Sequence, residues 1–186
     1  MIFICRTPSD LRRPSQVLLK EVNMIQTNEN HAEITLVGLT ARTNNTNEMN
    51  PETGKIGPLA GHYWGSQIAN KIQHRRCPGK TYAVYTEYES DEHGDYTYFI
   101  GEAVDSLDAQ DLDTFTTITI PAAEYTKFTT ESGKIPDIVI SAWLEIWGMN
   151  AYDLGGQRAY VADFEIHDER ASDPNAAVID IYIGRK

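Results

Sequence analysis

Two glutamates carry the most chemical promise in this chain. Glu87 stands five residues after Tyr82 in TYAVYTEYES, and Glu165 stands five after Tyr160 in RAYVADFEIHDE. Both segments read as strands, rich in β-branched and aromatic residues. Side chains alternate between the two faces of a strand. Tyr160, Ala162, Phe164 and Ile166 therefore share one face, which is expected to pack under a helix, and Val161, Asp163, Glu165 and His167 share the other. In the first segment Tyr82, Val84, Thr86 and Tyr88 oppose Ala83, Tyr85, Glu87 and Glu89. Both glutamates thus fall on the face away from the expected core. Two readings stay open: the carboxylates point at solvent, or that face lines an internal seam. A carboxylate in a seam is partly desolvated and calls for a cation.

The aromatic residues supply the complement. Trp143 and Trp147 lie four apart and share a helix face, while Tyr85 and Tyr160 sit beside the glutamates. Most such rings serve packing. A carboxylate among aromatic faces is nonetheless the physical recipe for holding a lipophilic cation, each cation–π contact contributing about 0.5–2 kcal/mol. Conventional catalysis finds little support. There is no G-x-S-x-G, Walker loop or dinucleotide fingerprint, and His74 with Cys77 has no second pair to complete a zinc site. No cofactor, metal or catalytic residue is expected.

The elements that must position these residues come in two similar sets. ETGKIGP at 52–58 is echoed by ESGKIP at 131–136. Pro58 precedes Tyr82 by 24 positions and Pro136 precedes Tyr160 by 24, and the halves close on Phe99-Ile100-Gly101 and Tyr182-Ile183-Gly184. These markers indicate an internal duplication of a strand–helix–strand–strand unit. The first helix follows Pro58, with Trp64, Ile68 and Ile72 as an apolar stripe and Gly57, Gly61 and Gly65 as a ridge for close approach to a sheet. The second starts at Asp137, presents Ile140, Trp143, Leu144 and Trp147, and stops near Gly148. TFTTITIPAAEYTKFTT reads as one strand with Pro121 marking an edge or bulge. The expected fold class is α+β: duplicated β-α-β-β modules, about 32–108 and 112–186, related by a pseudo-two-fold axis. They share an antiparallel sheet, two main helices and a central ligand pocket at the seam. Residues 1–31 read as an N-terminal extension, with QVLLKEVNMI as a helix or strand and TNENH as a linker.

A net charge of −11 over 186 residues argues against a nucleic-acid partner, which demands basic side chains for phosphates, and against an anionic membrane surface. It suits a cationic ligand. Two cysteines, Cys5 and Cys77, are too few for a disulfide scaffold and fit a reducing cytoplasm. No targeting segment is evident.

VGLTARTNN, GKIGPL, YAVYTEYESDEHGDYTYFIG and ADFEIHDER…IDIYIG resemble the GyrI-like effector-binding domains of AraC-type regulators. The likeness extends to their stand-alone forms, including those carried on integron gene cassettes, and covers roughly residues 32–186. It implies a small-molecule (multidrug) binding protein that takes bulky amphipathic cations through a buried glutamate among aromatic rings. The family's glutamate falls on Glu165, and Trp143 matches an aromatic that lines the pocket; Glu87 matches by internal symmetry only. Some relatives are hydrolases of electrophilic compounds that use a pocket glutamate with a tyrosine. A stand-alone relative inhibits a topoisomerase, which would imply a protein partner. Residues 1–31 are too short for the helix-turn-helix domain of AraC-type proteins. The leading expectation is a free-standing binder in which Glu165 supplies charge, Trp143, Trp147, Tyr85 and Tyr160 supply faces, and Glu87 ranks behind them.

Overall fold

The computed structural model describes residues 24–186. The segment 1–23, including most of QVLLKEVNMI, lies outside the described residues. Eight strands form one antiparallel sheet: β1 (Ile25–His31), β2 (Ile34–Thr43), β3 (Thr81–Thr86), β4 (Tyr96–Ala103), β5 (Thr116–Ile120), β6 (Ala123–Thr129), β7 (Ala162–His167) and β8 (Asp180–Gly184). The helices are α1 (Asn45–Glu48), α2 (Ile56–Gly65) and α3 (Asp137–Gly148). Strand order is β1-β6-β8-β7-β3-β4-β2-β5. Reading inward from either end, β1 answers β5, β6 answers β2, β8 answers β4, and β7 meets β3. The architecture is α+β with two related halves, as the repeated markers imply.

The ladders locate the symmetry axis. Phe99 faces Val84 across β3 and β4, and its counterpart Tyr182 faces Phe164 across β7 and β8. Val84 and Phe164 are therefore equivalent, and they pair directly with each other where β3 meets β7. One residue further along, Tyr85 is the counterpart of Glu165. Glu87 is the counterpart of His167, so the two glutamates are not symmetry mates. The equal spacing from Pro58 and Pro136 is offset by two residues because the segments joining helix to strand differ in path.

The chain connections force the sheet to curl. Ala32 and Glu33 alone join β1 to β2, and Pro121 and Ala122 alone join β5 to β6. Each link connects strands six places apart in the order. Flat, that separation would be about 29 Å, whereas three Cα steps reach about 11 Å. Pro121, which lacks an N–H, thus breaks TFTTITIPAAEYTKFTT into two strands rather than bending one. TNENH belongs to β1, which adds itself antiparallel to β6.

Curling gives the sheet two buried faces. The inner face packs strand against strand: Leu36, Val84, Phe99, Ile120, Tyr125, Phe164 and Tyr182 form one cluster without a helical residue. Phe164 and Tyr182 stack at 4.5 Å, and His31 on β1 sets its ring edge-on to both. The outer face carries the helices. Tyr63 of α2 packs with Ala83, Tyr98 and Ile100. Ala142, Trp143 and Ile146 of α3 pack with Ile179, Ile181 and Ile183. This reverses the expected assignment: α3 covers the Glu165 face, and the Phe164 face closes on the sheet itself.

The first helix also departs from expectation. It ends at Gly65, and Gln67 turns left-handed at φ 50°. Ile68 and Ile72 are buried, one on the following short 3-10 turn and one just beyond it, while Trp64 is 45% exposed. Gly57, Gly61 and Gly65 face open space and bring the helix no nearer the sheet. Close backbone approach occurs instead at Gly38 and Gly101, paired across β2 and β4. There a Cβ would meet Ile100 O at 2.1 Å or Val37 O at 2.2 Å.

Candidate functional site

Every residue of β7 is buried, and Glu165 at its centre is 3% exposed. An ionised carboxylate there must be hydrogen-bonded to persist. Three donors meet it. Tyr85 Oη–H donates to Oε1 at 2.7 Å, and Trp143 Nε1–H donates to the same oxygen at 2.7 Å. His167 Nε2 lies 2.9 Å from Oε2. β3, α3 and β7 each supply one partner. Tyr85 and Glu165 meet because, as symmetry mates on the same face, they flank the axis diagonally, within reach for a long aromatic side chain.

These contacts decide the carboxylate's charge. Burial alone would raise the Glu165 pKa. The hydrogen bond and charge of His167, then the bonds from Trp143 and Tyr85, outweigh it and hold the group below its ordinary value. Tyr85 moves the other way: burial, reinforced by the neighbouring carboxylate, pushes its phenol far up. The pair is thus a fixed donor and a fixed anion.

In front of this pair, between the two halves, lies a cavity of about 340 Å³. Tyr85, Tyr88, Tyr96, Trp143 and Trp147 give it aromatic walls, and Val139, Ile140 and Leu144 line the α3 side. Ile140 and Leu144, 52% and 38% exposed, are thereby explained as cavity wall. Glu165 is not on the wall. It sits behind Tyr85 and Trp143, whose polar atoms it binds.

The structure brings together five of the six residues singled out in the sequence. Tyr85, Trp143 and Trp147 line the cavity, with Glu165 behind them. Tyr160 lies outside the β7 ladder, in a left-handed turn at φ 52°. From there it lines an adjoining hollow and donates a hydrogen bond to Glu92. Glu87 stands apart. It follows the end of β3 at φ 50°, is exposed, and accepts a hydrogen bond from Thr97 Oγ1 at 2.6 Å.

Sequence reasoning missed several wall residues. Glu48 lines the cavity but is engaged at the start of α2, accepting from the backbone N–H of Lys55 at 2.9 Å and of Ile56 at 3.1 Å. Arg158 is 8% exposed and sets its guanidinium over the Tyr160 ring at 4.4 Å. Its Nη2 and Nε donate to Asp163 Oδ2 at 2.8 and 3.1 Å. Burial opposes the arginine's charge, and Asp163 more than offsets that, so the guanidinium stays protonated. The one available signal was an arginine five residues ahead of an aspartate at an interior strand position. Among the described residues no group of three or more His, Cys, Asp and Glu could hold a metal ion, and no helix is long and apolar enough to cross a membrane.

A duplicated, curled sheet with a ring-lined cavity between its halves defines an effector-binding domain. The sequence from 29 to 184 matches the family of integron-associated effector binding proteins (Cass2), and the chain belongs to that family. It is 32% identical over 152 residues to the regulator-like protein YobU of Bacillus subtilis (strain 168), covering 80% of this chain and 90% of that protein. An integron cassette protein of Vibrio cholerae superposes with a TM-score of 0.66 at 26% identity, over 90% of this chain and all of that one. SAV2435, solved bound to tetraphenylphosphonium, shares the fold with a TM-score of 0.68 at 18% identity, over 88% of this chain and 94% of its own.

Proposed function

We propose that the cavity binds bulky amphipathic aromatic cations and that Glu165 supplies the compensating charge. The observation that carries this reading is the bond pattern of Glu165: a buried carboxylate whose Oε1 accepts from two rings of the cavity wall. A phenol or indole that donates to an anion presents a more negative ring face. The charge is thereby delivered to the cavity through Tyr85 and Trp143 without exposing the carboxylate to water. Several ring contacts of about 0.5–2 kcal/mol each then suffice for useful affinity, more so in a dry site. The tetraphenylphosphonium held by SAV2435 on the same fold supports the ligand class. Binding, for sequestration or sensing, is favoured over hydrolysis because Glu165 lies behind the rings, where it cannot orient a water against a substrate. The acidic surface favours such a ligand over nucleic acid as the partner.

The test is a titration with tetraphenylphosphonium followed by tryptophan fluorescence, since Trp143 and Trp147 both face the cavity. Glu165→Gln keeps the shape and removes the charge. The expected result is at least a tenfold loss of affinity in a variant whose circular dichroism is unchanged. Equal affinity in the two proteins would remove the role given to Glu165.

A further inference from the structure

Beside the main cavity lies a second hollow of about 280 Å³, walled by Trp147, Gln157, Tyr160 and Lys186. Glu92, Trp147 and Arg158 belong to both, so the two adjoin at the arginine. Arg158 is fixed there. Asp163 holds Nε and Nη2, Tyr88 Oη lies 3.4 Å from Nη2, and the guanidinium lies over the Tyr160 ring. Among the described residues Nη1 has no hydrogen-bond acceptor. A guanidinium immobilised on one edge offers its other N–H groups at little entropic cost to a ligand acceptor, most strongly to a carboxylate.

The Arg158 guanidinium is 5.8 Å from the Trp143 ring, the same ring that a bound cation would use. Asp163 already pairs with this guanidinium, so what the arginine still offers beside the cation site is its free edge. Resting on the cation-binding reading above, we propose that the ligand is bipartite. Its aromatic cation occupies the main cavity, and an arm ending in a carboxylate enters the second hollow. There it accepts hydrogen bonds from Arg158, with Lys186 on the wall of the same hollow.

Three probes separate the two readings. Tetraphenylphosphonium has no acceptor; rhodamine 123 carries a methyl ester; rhodamine 110 is the same dye with a free carboxylate. On the wild-type chain, rhodamine 110 is expected to bind at least as tightly as rhodamine 123, although its net charge is lower. Arg158→Lys retains the ion pair with Asp163 and loses the fork. It should weaken rhodamine 110 about tenfold, at least fivefold more than it weakens tetraphenylphosphonium. Lys186→Met, on the exposed side of the hollow, should weaken rhodamine 110 alone, by about threefold. Rhodamine 110 binding tenfold more weakly than rhodamine 123 to the wild type overturns the bipartite site while leaving the cation site standing. Equal losses for all three probes in Arg158→Lys also overturn it. Binding of rhodamine 110 with none of tetraphenylphosphonium sinks the cation reading and supports the arm site. Failure of all three probes overturns both.

Discussion

Position for position, the two halves of the domain differ at the place where they touch. β3 offers Tyr85 beside the axis and β7 offers Glu165 at the equivalent place. Their helices diverge in step. α3 sends Trp143 onto the carboxylate, while α2 sets Trp64 against the His167 ring at 5.6 Å. A perfectly symmetric repeat would bring two identical side chains together at this point. Two glutamates could not both stay ionised at such range, and two tyrosines would hold no charge. Divergence of one member turns the axis into a donor–acceptor pair. Duplication thus supplies the scaffold, and asymmetry at a single register position supplies the chemistry.

Restoring symmetry should therefore do the most damage. Tyr85→Glu places a second carboxylate beside Glu165 and is expected to cost about 3–5 kcal/mol, the scale for an uncompensated buried charge. Urea unfolding at neutral pH reads this, and acidification should recover part of it as one carboxyl takes a proton. The wild-type asymmetry has its own pH signature. Because the folded Glu165 pKa is depressed, its contribution to stability is full above the ordinary value of 4.5 and is lost as pH falls through the folded value. The stability difference between wild type and Glu165→Gln should accordingly be flat near neutrality and shrink below pH 4.5; a difference that grew on acidification would reverse the assignment. Tyr85→Phe removes one donor and keeps the ring, so a change of about 1 kcal/mol in stability is expected, with a severalfold weaker hold on tetraphenylphosphonium. The smallest effect belongs to Glu87→Gln. Exposed and off the cavity, it should shift stability by less than about 0.5 kcal/mol and leave affinity unchanged; a large loss would restore the symmetry argument that the ladders overturn.

The repeat, the two principal helices and the aromatic character of the seam were legible in the sequence because punctuation and apolar spacing survive in both halves. The face assignment was not. Alternation tells inside from outside only when one side is wet, and on β7 Asp163, Glu165 and His167 are as buried as Phe164 and Ile166. β1 was hidden for the opposite reason: IQTNENH is almost wholly polar, as an exposed edge strand can be. Strand alternation and helix spacing singled out Glu165 with Glu87 and Trp143 with Trp147; the resemblance then ranked Glu165 and Trp143 first. Arg158 stayed invisible because its partner Asp163 reads, in one dimension, as a solvent-facing charge.

The crossed first strands carry a consequence for how such a gene can be cut and joined. β1 completes the second half and β5 completes the first, so a fragment ending between β4 and β5 retains a strand whose partner it has lost. By the equivalence of β1 with β5, two copies of one fragment could satisfy each other through reciprocal exchange. A break inside the reading frame between the halves would then leave each part with an unpartnered strand, and only the whole unit carries every strand together with its neighbour.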